Sequence, residues 1–276
     1  MQKIDAHQHF WKYHPDSHAW IGEEMKVIRK NFLPNDLEPL LIENNFSGSV
    51  AVQADQSEAE TEFLLQLSNE YNFIKAVIGW VDFKSITIEE RLEYFSGFEK
   101  LKGFRHIVQD EQQDDFLLRK DFCNGIALLE KYGFCYDILI YHKHLKYAVE
   151  FVNKFPNQPF IIDHLAKPPI KTKEINSWKK GIQNIAGFEN VFCKISGLVT
   201  EADWNNYSVE DFKPYTDIVL EAFGTDRIIF GSDWPVCLPA ASYNSCCKLT
   251  EALTSQLSEN EKANFWGSNA EKFYNL

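Results

Sequence analysis

The 276-residue chain contains no C-x-x-C pair and no apolar run approaching the ~18–20 residues that cross a bilayer. Its six cysteines include the adjacent Cys246 and Cys247, a spacing unsuited to a disulfide framework. Free thiols in a reducing compartment are the expectation. The first residues lack a basic stretch followed by an apolar one, so no signal peptide is expected and the location is read as cytoplasmic. Basic residues are scarce: 28 Lys and Arg stand against 40 Asp and Glu, a formal charge of -12. That balance argues against nucleic acid and against an anionic membrane as partners, because both reward positive charge. No G-x-G-x-x-G follows an apolar run, which speaks against an open, doubly wound nucleotide-binding sheet. Linkers, low-complexity tracts and close repeats are also missing, so a single domain over residues 1–276 is expected.

What the chain does have is a series of short runs rich in Val, Ile and Phe. They are "KIDAH" (3–7), "GSVAVQ" (48–53), "IKAVIGWV" (74–81), "LKGFRHIV" (101–108), "GFCYDILI" (133–140), "QPFIIDH" (158–164), "NVFCKIS" (190–196) and "DRIIFGS" (226–232). Several lack polar alternation, as suits parallel strands covered on their outer face. Helical patterns lie between most of them, at 36–45, 57–72, 119–133, 144–156 and 211–224, several ending at Gly or before Pro. Eight strand–helix units predict an α/β fold, a (β/α)8 barrel. About forty residues separate the first two strands, far more than the ~2–6 of an ordinary connection. Residues 10–35 of that segment read equally as a substrate-covering loop or as packing on the barrel rim.

In such a barrel the reacting groups sit at the carboxyl ends of the strands. Alternation along the first strand sends Asp5, His7 and His9 to one face. His164 ends the sixth strand and Asp233 ends the eighth. Each has a plain structural explanation alone, a hydrogen-bonded core histidine or an Asp capping a turn. Their joint position at one mouth is what suggests a site.

Arg105 and His106 follow each other on the fourth strand and cannot both point inward. Arg105 is the candidate anchor for a substrate oxygen, with an ion pair in the barrel wall as the other reading. Gln109 and Asp110 come next, at the strand end, as further candidates for polar substrate contacts. Lys194 is a charge within an apolar strand, which calls for a substrate contact or an internal ion pair. Trp11, Trp80 and Trp234 lie near strand ends, where they either stack on a ligand ring or pack against neighbours.

His7-Gln8-His9, His164 and Asp233, in that order, resemble the amidohydrolase superfamily. The stretches "DAHQHFW", "GWVDF", "GFRHIVQDE", "DHLAKP", "CKISGLVTEADW" and "FGSDWPVC" are similar to its branch of L-fuconolactonases and related sugar lactonases, from residue 3 to about 270. The resemblance implies hydrolysis of a small cyclic sugar ester to an aldonic acid. It leaves two routes open. In one, His7, His9, His164 and Asp233 hold one divalent cation such as Zn²⁺; in the other the histidines bind the lactone carbonyl without metal. In the first the metal lowers the pKa of bound water and polarises the carbonyl; in the second Asp233 takes a proton from the attacking water.

The chain departs from the two-metal members. The fourth strand ends without Lys, Glu111 lies beyond it, and His142 falls just past the fifth strand. Competing expectations are a metal-dependent decarboxylase or amide hydrolase on the same fold, and a non-catalytic sugar-binding barrel. Homo-oligomerisation is left open.

Overall fold

The computed structural model describes residues 2–276. Eight parallel strands follow one another in chain order: β1 Lys3–Gln8, β2 Phe46–Val52, β3 Ile74–Gly79, β4 Leu101–Ile107, β5 Cys135–Leu139, β6 Phe160–Ile162, β7 Val191–Ile195 and β8 Ile228–Phe230. All eight predicted runs are strands, with ends shifted by a few residues. Between them lie helices at Pro34–Glu43, Glu58–Glu70, Ile88–Phe95, Leu145–Asn153, Ile175–Ala186 and Val209–Phe223, and Tyr243–Leu253 follows β8. The expected helix over 119–133 is two pieces, Lys120–Ile126 and Leu129–Tyr132, and it stops at Gly133 in the left-handed region (φ 72°). Ile88–Phe95 and Ile175–Ala186 were not anticipated, although buried Leu92 and Phe95, and Trp178, Ile182 and Ile185, form their inner faces.

The sheet closes where β1 meets the chain after β8. The His9 N–H donates to the Trp234 carbonyl (2.7 Å) and the Asp233 N–H to the His7 carbonyl (2.8 Å). Gly231 permits this approach, since a Cβ there would stand 2.5 Å from the His7 Cβ. The first and last catalytic candidates are therefore brought together by backbone pairing.

Inside the barrel, Ile4, Ala6, Val50, Val52, Ala76, Ile78, Ile161 and Ile229 form one buried cluster, and Tyr274 from the terminal helix Asn269–Tyr274 packs with them. Outside it, a larger apolar layer between strands and helices includes Phe83, Phe104, Phe122, Tyr136, Phe151 and Phe160. Strands buried on both faces explain why their sequence runs lack alternation.

Candidate active site

Strict alternation fails on β1. Asp5 pairs with Ser49 and Gln8 with Ala51, so β1 carries one extra residue between them. Such a bulge re-aims the side chains that follow it. Asp5 consequently faces the helical layer, accepting from the Ser232 N–H (2.9 Å) and the Tyr243 hydroxyl (3.1 Å). His7 and His9 face the barrel mouth. The expectation that all three share a face is thus corrected.

Asp233 is the point on which the imidazoles converge. Its Oδ1 lies 3.4 Å from His9 Nε2 and 3.9 Å from both His7 Nε2 and His164 Nε2. Each ring is oriented from behind. His9 Nδ1 is 2.7 Å from the Val52 carbonyl, which can only accept, so the proton sits on Nδ1 and Nε2 is left as a lone pair. His164 Nδ1 lies 2.9 Å from the Ser196 hydroxyl. Gly197 leaves room for that ring: a Cβ there would meet His164 Nδ1 at 2.6 Å.

Asp163 Oδ1 lies 3.3 Å from His7 Nδ1, and Arg105 Nη1 stands 3.2 Å from His7 Nε2. A proton on Nδ1, given to Asp163, lets Nε2 accept from the guanidinium.

Burial sets the charges. It drives the His7 imidazole well below its ordinary pKa and lowers that of His9. It brings His164 down to about 4. For Asp233, burial pushes the carboxyl up, but His164, His9 and Lys167 outweigh it and hold it below the usual range. At neutral pH the centre is therefore one carboxylate facing three neutral imidazoles.

Beneath lies a buried ion network, open to the cavity only at Arg105. Lys194 Nζ contacts Asp137 Oδ2 at 2.5 Å and Asp163 Oδ1 at 2.9 Å. Arg105 Nη1 donates to Asp163 Oδ2 at 3.0 Å, and Nη2 donates to the Gln53 carbonyl. The Tyr274 hydroxyl closes the lower end on Asp137 (3.2 Å). Burial alone would raise Asp163, but Lys194, His7 and Arg105 together hold it well below the ordinary carboxylate range.

Above the centre opens a cavity of about 290 Å³. His9, His164, Asp233, Arg105, Gln109 and Asp110 line it, whereas His7 is fully buried below its floor. Four expected substrate contacts, Lys194, Trp11, Trp80 and Trp234, are not in its wall. Lys194 is enclosed in the ion network. Trp11 donates through Nε1 to the Lys30 carbonyl (2.9 Å) and packs edge-on to Phe32. Trp234 packs against Phe32 and Phe10. Trp80 donates to His106 (3.2 Å), which turns outward to Glu111 (2.7 Å) and leaves the inward place to Arg105.

The aromatic surface comes instead from Trp20, Tyr141 and Trp204, joined by Lys167 and Glu201. In the 10–35 segment, Trp11 and Phe32 tie the two ends together by paired backbone bonds and Phe32 packs on Trp234 at the rim, while Trp20 and Met25 reach the cavity. Lys167, Glu201 and Trp204 were missed because their place depends on loop conformation. The one local hint was a charged residue three positions after His164.

His7, His164 and Asp233 each offer a ligand atom, all within 4.8 Å of one another, and this is the one such group of three or more among the described residues. Two neutral imidazoles and one carboxylate are a donor set that suits a small divalent ion. His9 Nε2 borders this set without belonging to it. His142 lies apart, its Nδ1 3.2 Å from the Lys167 carbonyl.

A closed parallel barrel with imidazoles and an ionised carboxylate at its carboxyl end defines a barrel hydrolase. The chain belongs to the amidohydrolase family, whose profile, described as "Amidohydrolase", matches residues 4–276. It is 37% identical to an L-fucono-1,5-lactonase of Burkholderia multivorans, over 99% of this chain and 96% of that protein. It is 32% identical to an L-fucono-1,5-lactonase of Burkholderia ambifaria, again over 99% and 96%. Among solved structures, an amidohydrolase from Burkholderia multivorans with bound zinc superposes with a TM-score of 0.96 at 37% identity, covering 100% of both chains.

Proposed function

We propose that the chain opens a sugar-derived lactone, of the L-fucono-1,5-lactone type, to its aldonic acid. The observation that carries this reading is an ionised, buried Asp233 beside His9 Nε2, under a cavity of about 290 Å³, a size suited to one sugar ring. The relatives named L-fucono-1,5-lactonase support the substrate class.

Asp233 accepts a proton from the attacking water, whose oxygen adds to the lactone carbonyl carbon. The Arg105 guanidinium and His164 Nε2 face the space where the carbonyl oxygen turns negative. When the ring C–O bond breaks, Asp233 returns the proton to the departing alkoxide, leaving carboxylic acid and hydroxyl. Asp163 and Lys194 touch no substrate; they hold His7 and Arg105 in place. Gln109 and Asp110, on the cavity wall, meet ring hydroxyls in this reading.

His7, His164 and Asp233 are the residues that would hold one divalent cation, with zinc suited to that donor set and His9 beside it. Such an ion supplies carbonyl polarisation and a lower pKa for bound water.

A pH-indicator assay over five- and six-membered aldonolactones, with and without chelator, tests the reading. Acid release from L-fucono-1,5-lactone is expected. Inertness toward the whole panel would retire it.

A further inference from the structure

A second chamber of about 550 Å³ adjoins the first, and Tyr141, Lys167, Thr200, Glu201 and Trp204 border both. Lys167 reaches this shared wall by an unusual backbone path. His164, Leu165, Ala166 and Lys167 all have positive φ, at 53°, 54°, 57° and 50°. Left-handed conformation costs L-residues roughly 1–2 kcal/mol each, so four in succession need compensation. The Lys167 N–H donates to the His164 carbonyl (2.7 Å), and buried Trp178 Nε1 donates to the Leu165 carbonyl (2.7 Å). This single turn carries both His164 and Lys167 to the cavity.

Glu201 comes from the neighbouring loop, on a short turn after β7, the strand paired with β6. Lys167 Nζ and Glu201 Oε1 are 3.9 Å apart, beyond a direct hydrogen bond, and their side chains are 17% and 21% exposed. Beside them, Trp204 spends its only N–H on the Thr200 carbonyl (3.0 Å), so the rest of the indole meets the cavity as an apolar surface.

We propose that Lys167 and Glu201 are a further ring-hydroxyl recognition pair of this site, in addition to Gln109 and Asp110. A hydroxyl both accepts and donates, so it can join an ammonium to a carboxylate that do not meet directly. Two vicinal hydroxyls can divide the same pair between them. Trp204 covers the ring's C–H face, as suits a cyclic polyol and not a bare lactone. The pair therefore sets which lactones are used, while Asp233 sets whether they are opened. This inference rests on the lactone reading above.

The test compares L-fucono-1,5-lactone with δ-valerolactone, a six-membered lactone without hydroxyls, on the full chain. Lys167→Met and Glu201→Gln are each expected to lower the ratio of kcat/KM values, hydroxylated over bare, by at least about tenfold, mainly through KM. Preservation of that ratio in both variants overturns the proposal. Glu201→Gln, nearly isosteric, carries the comparison if Lys167→Met does not fold.

Should the native protein open neither lactone, the lactone reading fails by itself. The pair is then judged by calorimetry with 1,5-anhydro-L-fucitol, a polyol ring that cannot be hydrolysed. Binding weakened at least about tenfold in both variants sustains the proposal. Absent binding, or equal binding by all three proteins, overturns it.

Discussion

Lys194 Nζ lies 3.1 Å from His7 Nδ1, with both side chains sealed from solvent. An ammonium cannot accept a hydrogen bond, so its part there is electrostatic: it bridges Asp137 and Asp163 and keeps Asp163 ionised behind the His7 ring. Replacing Lys194 by Met leaves buried Asp137 without its counter-charge and Asp163 with Arg105 alone. We predict a loss of about 3–5 kcal/mol of stability. Denaturant unfolding measures it, and a midpoint within error of the native protein's would contradict the network.

Asp233→Asn keeps the size of the side chain and removes its capacity as a base. Activity on L-fucono-1,5-lactone is expected to fall about 10²–10⁴-fold, the usual contribution of a positioned proton acceptor. Near-ultraviolet circular dichroism should be unchanged. Retained turnover in this variant would move the base elsewhere.

The pH dependence of stability follows from the imidazoles. His164 titrates near 6.5 when unfolded and at about 4 when folded, because burial disfavours its charged form. Between those values the unfolded chain binds a proton that the folded one refuses, so stability falls as pH drops from about 6.5 to about 4. The effect is on the order of 3 kcal/mol for this residue. His7 and His9 shift the same way. Urea melts across that range should show a shallower slope for His164→Asn than for the native protein; identical slopes would refute the assignment.

Zinc should bind at the group formed by His7, His164 and Asp233. One equivalent per chain is expected after dialysis against Zn²⁺, measured by elemental analysis, with loss of stoichiometric binding in His7→Ala. Full occupancy in that variant would place the ion at another site.

Gly231→Ala tests the closure itself. The added methyl would stand 2.5 Å from the His7 Cβ, so β1 or β8 must move. A cost of about 1–3 kcal/mol is expected, as for overpacking in a tight core, together with lower turnover because His7 and Asp233 are displaced. A fully active, equally stable variant would show that this approach is not constrained.

The amino-acid pattern alone determined the eight strands, the order of the barrel, and the convergence of His7, His9, His164 and Asp233. These are legible because apolar runs and strand ends are local features, and because a parallel barrel puts all its carboxyl ends on one side. Tertiary structure decided the rest. The extra residue in β1 turned Asp5 away from His7, and no local pattern marks a bulge whose partner is forty residues distant. Trp11 and Trp234 became rim packing and Lys194 an internal counter-ion because their neighbours come from remote strands and loops. Lys167 and Glu201 met between the adjacent loops after β6 and β7 through a left-handed turn, a backbone choice that side-chain periodicity does not encode. Short-range periodicity reports which face of an element is buried; which groups then meet across the barrel depends on closure in three dimensions.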